Sequence, residues 1–431
     1  MKIVAFLPAK GTSNRVSSKN TKLLNGKPLF LHALDKLISI KMIDEVYLDS
    51  ESEKIFSLAG DRKYKKLLRE AHLADNSTDG NSLFVNEVNK TDADIYIQLL
   101  CTSPFIETKT IEKAIQILLE NDNYDSVILS QSQKLYLWSD KKPLYNVAQI
   151  PNSIDLPETI SETMGLYVCR AEVPKKLGRR IGNNPFLLLA NPIETVDINY
   201  NEDFQLAEYL MRGISIEEEL KFNFYSSFLS TAIVSDILDT YGVNNLVTGL
   251  TPNISETRII GRAKTLKLRE IKPEESSDLI YEALKSYEHI AMGEIIVVEN
   301  ELDELAYFGG LNAHISKRIG IKGAIINGKT RDNQEVRSLG FPVFSKGYTA
   351  KDVKGRAVLE HFNNAINIGG VDIHPGDLIV ADAEGVIVIP KEIELEVIQK
   401  AIEVASLETN IKSDLLTGFS IKDVLNRNGN F

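Results

Sequence analysis

The sequence predicts an α/β protein of two domains. Three observations carry this. Apolar runs of strand character, such as Ile3-Val4-Ala5-Phe6-Leu7 and the stretches 93–100 and 293–299, alternate with segments of helical apolar spacing. At 431 residues the chain is too long for one ordinary domain. The pattern also restarts beyond residue 223 with a new helix start signal and no repeat of the first half. The expected division is a first domain over 1–213, a charged helical connector over 214–223 and a second domain over 224–431.

In order, the first half opens with the strand 3–7, a polar loop to Pro28 and a helix over 29–40 with apolar Leu29, Leu31, Leu34, Leu37 and Ile38. Then come a strand at 45–49, a helix near 53–58, a basic amphipathic segment at 64–71 and a turn-rich loop at 74–80. A helix at 82–89, the strand 93–100, a helix at 111–121 and a strand at 125–130 follow. Trp138, the single tryptophan, reads as a core or lid aromatic. A helix runs from Phe204 to Met211. In the second half Ser230 caps a helix that ends at Gly242, with a strand at 260–267, a helical stretch at 274–285 and the strand 293–299.

Composition sets limits. Apolar residues make up 43% and charged residues 25%, as in a globular protein in water. A formal net charge of −11 argues against nucleic acid as the main partner. No eighteen-residue apolar run exists, so no membrane span is expected, and the chain enters a strand without a leader segment. Cys101 and Cys169 make neither a disulfide framework nor a zinc cluster and are expected to be buried thiols. A cytoplasmic protein fits these features.

The loop after the first strand carries the chemistry of the first half. A strand, a polar loop and a helix present a phosphate site at the carboxyl end of the first strand. The loop supplies small residues and the cations Lys10, Arg15, Lys19 and Lys22. It has no G-x-x-x-x-G-K-[ST], and on spacing alone it reads equally as a solvated surface loop. Pro8-Ala9-Lys10-Gly11, Lys19-Asn20 and Leu24-Asn25-Gly26-Lys27-Pro28-Leu29 resemble the start of acylneuraminate and related sugar-acid cytidylyltransferases. The resemblance implies a Rossmann-like nucleotidyltransferase domain with a mixed, mainly parallel sheet. It implies CTP bound by Lys10, Gly11, Arg15, Lys19 and Asn20, with Lys19 catalytic. Thr102-Ser103-Pro104 and the Gly165-led strand resemble the family's sugar-acid site, giving Thr102, Ser103 and Gly165 that role. Leu100 stands where the family usually has Gln, and Cys101 where it has Pro. Val196-Asp197-Ile198-Asn199 resembles the metal segment, with Asp197 and Asn199 as ligands for Mg²⁺ or Mn²⁺; Asn199 replaces a second Asp. Asp197 and Asp203 read otherwise as residues that flank and cap a helix.

In the second half, Gly309-Gly310 opens a helix, which exposes backbone N–H groups to an anion. A strand and turn then bring Arg331 and Asp332, suited to a carboxylate or enolate oxygen and to a divalent metal. Gly310, twenty residues, Arg331-Asp332, two residues and Glu335 resemble the regulator-of-ribonuclease-activity (RraA-like) family, which includes class II 4-hydroxy-4-methyl-2-oxoglutarate aldolases. The likeness extends through 340–344, 349–356, 371–382 and 385–390 and covers about 224–405. It implies an α/β/α swivelling domain, usually a trimer, with a 2-oxo acid held by Gly309, Gly310, Leu311 and the catalytic Arg331. Asp332 and Glu335 would hold the metal. Pyruvate aldolases carry an acid at the position of Gly310, and Asn327 replaces a common Asp, so either another group such as His314 or Lys317 handles the proton or the reaction differs. The expected protein is a bifunctional enzyme of bacterial surface-glycan assembly. It would join CTP to a 2-keto-3-deoxy sugar acid and act on a 2-oxo acid, as a trimer or hexamer. The alternative makes the second half a ribonuclease-regulator-like binding module or a trimerisation scaffold.

Overall fold

Apolar strands with both faces buried require helices on both sides. The computed structural model meets this requirement in the first of two units, Met1–Leu210 and Met211–Phe431. It describes all residues except Asn14, Asp61, Asn76, Ser77, Asn430 and Phe431, so part of the expected loop at 74–80 lies outside the described residues.

The strands of the first unit are β1 Ile3–Pro8, β2 Glu45–Ser50, β3 Lys65–Leu68, β4 Ile95–Leu99, β5 Ser126–Lys134, β6 Glu158–Arg170 and β7 Pro185–Leu189. They form one sheet in the order β7-β5-β6-β4-β1-β2-β3. All neighbours are parallel except β6, which runs antiparallel to β4 and β5. The helices are α1 Leu29–Ser39, α2 Glu53–Ala59, α3 Gly80–Asn89 and α4 Thr108–Glu120. Ala5, Leu7, Ile97 and Leu99 pack with Leu34 and Leu37 of α1 and Ile111 and Ile115 of α4. The opposite side chains, Val4, Phe6 and Tyr96, pack with Phe84 and Val88 of α3. Strand alternation thus makes a three-layer unit. The basic segment at 64–71 contains the edge strand β3, whose Lys65 and Lys66 face water, a common guard on an open sheet edge. Trp138 is 59% exposed, edge-on to Tyr145 on a small ribbon, and belongs to no core. Both cysteines are buried and free.

Helix α5, Asn201–Tyr225, contains the unit boundary. The expected stop at Met211 does not occur, and Gly213 lies mid-helix, where it costs about 1 kcal/mol relative to alanine.

The second unit continues with α6 Thr231–Thr240, β8 Leu246–Val247, β9 Thr251–Pro252, β10 Ile259–Glu270, α7 Ile280–Lys285, β11 Ile295–Asn300, α8 Gly310–Ile319, β12 Gly323–Asn327, α9 Asn333–Ser338 and β13 Val343–Ser345. It continues with β14 Ala357–Phe362, a separate hairpin of Ile366–Ile368 and Val371–Ile373, β15 Leu378–Asp382, β16 Gly385–Ile389, α10 Glu394–Leu416 and a last helix, Ile421–Asn428. The sheet order is β8-β16-β15-β10-β11-β12-β13-β9, with β14 paired to the far half of β10. Strands β10 to β13 form the parallel core. Even-numbered side chains such as Leu266, Ile296, Val298 and Ile326 meet Ala283 of α7, Ala313 of α8 and Val336 of α9. Helices α6 and α10 cover β15 and β16 in the same way. The helical stretch expected at 274–285 is shorter: a 3₁₀ turn at Ser277–Leu279 leads into α7. The Glu275 carboxylate accepts from the Arg269 guanidinium and the Lys272 N–H, which holds the preceding residues in a turn.

One buried ion pair stabilises the carboxyl edge of the first sheet. Arg69 donates from Nε and Nη2 to the Asp49 carboxylate at 3.0–3.2 Å, with both side chains at most 3% exposed. Removing one partner of such a pair leaves an unmatched buried charge. Asp49→Ala is expected to destabilise the first unit by about 3–5 kcal/mol, read as a lower denaturant midpoint.

Candidate active sites

In the first unit the loop that leaves β1 is tied down by hydrogen bonds along its length. The Ala9 N–H donates to the Asp49 carbonyl (2.8 Å) and the Gly11 N–H to Glu51 Oε1 (2.8 Å). Asn20 Nδ2 donates to the Lys10 carbonyl at 2.9 Å, and Lys19 Nζ to the Ile198 carbonyl at 2.7 Å. Beyond the loop, Leu23–Leu24 and Lys27–Pro28 form a hairpin. Its turn residues Asn25 and Gly26 have φ of 50° and 74°, as a two-residue hairpin with this twist requires.

The turn after β4 meets the same place. The Ile198 N–H donates to the Thr102 carbonyl (2.9 Å), so residue 198 joins the turn and the Lys19 ammonium. The Cys101 thiol donates to Asn20 Oδ1 at 3.2 Å and the Pro8 carbonyl at 3.4 Å. Burial pushes that thiol up to about 11, so it is neutral. Lys36 of α1 donates to the Pro104 and Ile106 carbonyls (2.5 and 2.8 Å), and burial pushes it down to about 8. The Leu100 N–H donates to the Gly165 carbonyl (2.8 Å). A Cβ on Gly165 would lie 2.6 Å from Ser103 Oγ, so only glycine lets β6 approach this closely. Ser103 Oγ is buried without a hydrogen-bond partner among the described residues.

Lys19, Asn20, Thr102, Ser103, Gly165, Asp197 and Asn199 are therefore brought together by these contacts and their chain neighbours. Arg15 is exposed, with its guanidinium carbon 5.5 Å from the centroid of the Tyr200 ring. The Gly11 N–H is already engaged by Glu51. Burial holds the Lys19 ammonium below the usual lysine range, against the opposing pull of the Asp197 carboxylate. Asp203 accepts from the Asn199 and Tyr200 N–H groups and so caps α5. Asp197 does not cap. Its Oδ2 accepts from the Asn199 amide, while Oδ1 is buried and has no partner among the described residues. An orphaned carboxylate oxygen beside a phosphate-type loop suits a divalent cation. The Asn199 amide turns its nitrogen toward Asp197, so it would have to flip to offer oxygen.

In the second unit the site lies beyond the carboxyl ends of the parallel strands. Three loops are laced together there. The Arg331 N–H donates to the Phe308 carbonyl (3.0 Å), the Thr330 N–H to Gly347 (2.9 Å) and the Thr349 N–H to Thr330 (2.9 Å). Arg331, Asp332, Asn333, Tyr348, Thr349 and Ala350 line an open cavity of about 430 Å³. Asp332 has φ 55°, a left-handed backbone uncommon for a side-chain-bearing residue and frequent at functional sites. Its Oδ2 accepts the Gly310 N–H at 3.0 Å and lies 3.5 Å from Arg331 Nε. Arg331 Nη1 is 2.7 Å from Asp352 Oδ2, a partner not assigned from the motif.

Both glycines approach side chains of the cluster closely. A Cβ on Gly309 would lie 2.7 Å from Asp332 Oδ2, and one on Gly310 2.4 Å from Glu335 Oε2. The Glu335 carboxylate thus occupies the space a side chain at 310 would take. Its Oε1 lies 3.0 Å from His314 Nε2. Leu311 is 77% exposed. Lys317 and Asn327 make no polar side-chain contact to this cluster among the described residues. Among the described residues no three His, Cys, Asp or Glu side chains converge on a metal position. Either site offers at most two, which fits Mg²⁺, an ion that retains water and takes few protein ligands.

Comparison with known proteins assigns each half. Residues 4–210 match the family model described as Cytidylyltransferase, and residues 231–388 the model described as Aldolase/RraA. Protein DlpA of Legionella pneumophila is 29% identical over 194 residues, covering 45% of this chain and 31% of that protein. A putative 4-hydroxy-4-methyl-2-oxoglutarate aldolase of Halalkalibacterium halodurans is 35% identical over 174 residues, covering 40% of this chain and 78% of the relative. A 3-deoxy-manno-octulosonate cytidylyltransferase of Flavobacterium johnsoniae is 24% identical over 175 residues, covering 40% and 66%. The chain spans under a third of DlpA. No helix among the described residues is long and apolar enough to cross a membrane. The chain joins a cytidylyltransferase domain to a second domain, and through that second domain it belongs to the Aldolase/RraA family.

Proposed function

We propose that the first unit transfers a cytidylyl group from CTP to a 2-keto-3-deoxy sugar acid, and that the second acts as a lyase on a 2-oxo acid. The observation that carries the first reading is the meeting of Lys19, the 102–103 turn and the unpartnered Asp197 oxygen around Ile198. Support for the substrate comes from relatives named as 3-deoxy-manno-octulosonate and pseudaminic acid cytidylyltransferases. We read the whole as a cytoplasmic enzyme of bacterial surface-glycan assembly. We read it also as a homo-oligomer, trimer or hexamer, built through the second unit; the exposed Leu395, Ile402 and Leu416 of α10 support that.

In the transfer, a hydroxyl of the acid gives up its proton to solvent, its oxygen bonds to the α-phosphorus of CTP, and the bond to the β-phosphate oxygen breaks to release pyrophosphate. Negative charge grows on the phosphates. Lys19 offsets it from a desolvated position, where a fixed charge acts more strongly than in water. Asn20 and Lys10 hold the loop around the triphosphate. Ser103, with its unpartnered hydroxyl, Thr102 and Gly165 position the acid. Asp197, with Asn199, would hold Mg²⁺ or Mn²⁺, which when bound screens the phosphate charge.

In the second unit the Gly310 N–H is taken by Asp332 and the Gly309 N–H by Asn312 Oδ1, so the Leu311 N–H of the α8 amino terminus and Arg331 take the carboxylate and the enolate oxygen of the oxo acid. Asp332, held by the Gly310 N–H, would ligate a divalent ion. Glu335 lies where an acid at 310 would project and is engaged with His314, so in place of the metal role that the motif implies we assign it the proton handling, with His314 as its partner.

Pyrophosphate release from CTP and Mg²⁺ with a panel of sugar acids tests the first reading. Turnover with at least one acid is expected, and Lys19→Ala should lower kcat/KM about 10²-fold. Silence across the panel sinks it. Because burial lowers the pKa of Lys19, CTP affinity should fall with rising pH earlier than for an ordinary lysine. Lys19→Arg, always charged, should move that fall to higher pH. Pyruvate release coupled to lactate dehydrogenase tests the second reading. Arg331→Ala should abolish it, and Glu335→Gln should lower kcat about 10²-fold. No pyruvate from any 2-oxo acid offered would make this unit a binding or assembly module.

A further inference from the structure

Glu51 follows β2 and sits against the start of the phosphate loop. Its Oε1 accepts the Gly11 N–H at 2.8 Å. A Cβ at Gly11 would lie 2.4 Å from Ser52 Cβ, so the loop is packed onto residues 51 and 52 and only glycine fits. The second oxygen, Oε2, is buried and has no hydrogen-bond partner among the described residues. A carboxylate oxygen that is neither hydrated nor bonded is costly, and it calls for a donor.

The triphosphate cannot supply one. It carries no donor at neutral pH, and a carboxylate repels it. The donors of CTP are on the nucleoside: the ribose 2′ and 3′ hydroxyls and the cytosine 4-amino group. We propose that Glu51 is a nucleoside-binding residue whose Oε2 accepts a hydrogen bond from one of these groups. The assignment rests on the cytidylyl-transfer reading above. It gives Gly11 a structural role, because its N–H belongs to Glu51, and leaves the phosphates to the rest of the loop.

Calorimetric titration of the full chain with CTP, 2′-deoxy-CTP, 3′-deoxy-CTP and UTP, each with Mg²⁺ and no acid, tests this. Glu51→Gln keeps an acceptor for the Gly11 N–H and puts an NH₂ donor where Oε2 was. The wild-type chain is expected to bind one of the three analogues about tenfold more weakly than CTP. Glu51→Gln is expected to lose about the same factor for CTP and to bind CTP and that analogue equally. Wild-type affinities within twofold for all four nucleotides would overturn the assignment without needing the variant. An equal loss by Glu51→Gln for all four would also overturn it, leaving Glu51 as a loop support. Absence of any CTP binding by the wild-type chain would remove the cytidylyl reading itself, a result distinct from either.

Discussion

A lysine ammonium removed from water must be met by oxygen, and in the first unit that oxygen is the carbonyl of Ile198, 179 residues away in sequence. The contact closes the loop after β1 onto the segment before α5. The Thr102 carbonyl is then set by the Ile198 N–H, and the orphaned oxygen of Asp197 is one residue away. Asn20, held by Lys10 on one side and the Cys101 thiol on the other, gives the loop its shape. Without the ammonium–carbonyl bond these pieces belong to separate connections of the sheet.

The two units solve a common problem in the same way. Each must bring a polar side chain close to backbone, and each does so by removing a Cβ. Gly165 admits Ser103, while Gly309 and Gly310 admit Asp332 and Glu335. The Gly310 N–H then fixes Asp332, whose left-handed backbone starts α9. Glycine therefore shapes the sites through close approach, at extended as well as helical backbone.

Charge is also sorted by burial. Arg69 and Asp49 are paired and dry, and burial together with Asp49 raises the carboxyl of Glu87 well above the usual carboxylate range. Gln98 bridges Glu87 and Arg180, whose guanidinium lies over the Tyr167 ring at 3.8 Å. This network supports the carboxyl edge of the sheet beneath the loop, and Asp49 also accepts the Ala9 N–H through its backbone carbonyl. In the second unit the charges at the site stay half-exposed, as an open cavity allows.

The sequence by itself determined the α/β class, most strands and helices, the buried cysteines and the two motif clusters, because hydrophobic period and motif spacing are local properties. It misjudged local geometry where tertiary contacts intervene, as at 274–279 held by Glu275, and in the continuous α5. Only the tertiary structure decided that Glu51 takes the Gly11 N–H, that Cys101 steadies Asn20, that Asp352 pairs with Arg331, and that Glu335 fills the space beside Gly310. Each of these depends on a distance between segments far apart in the chain, and such distances arise only when the sheet and its helices have packed.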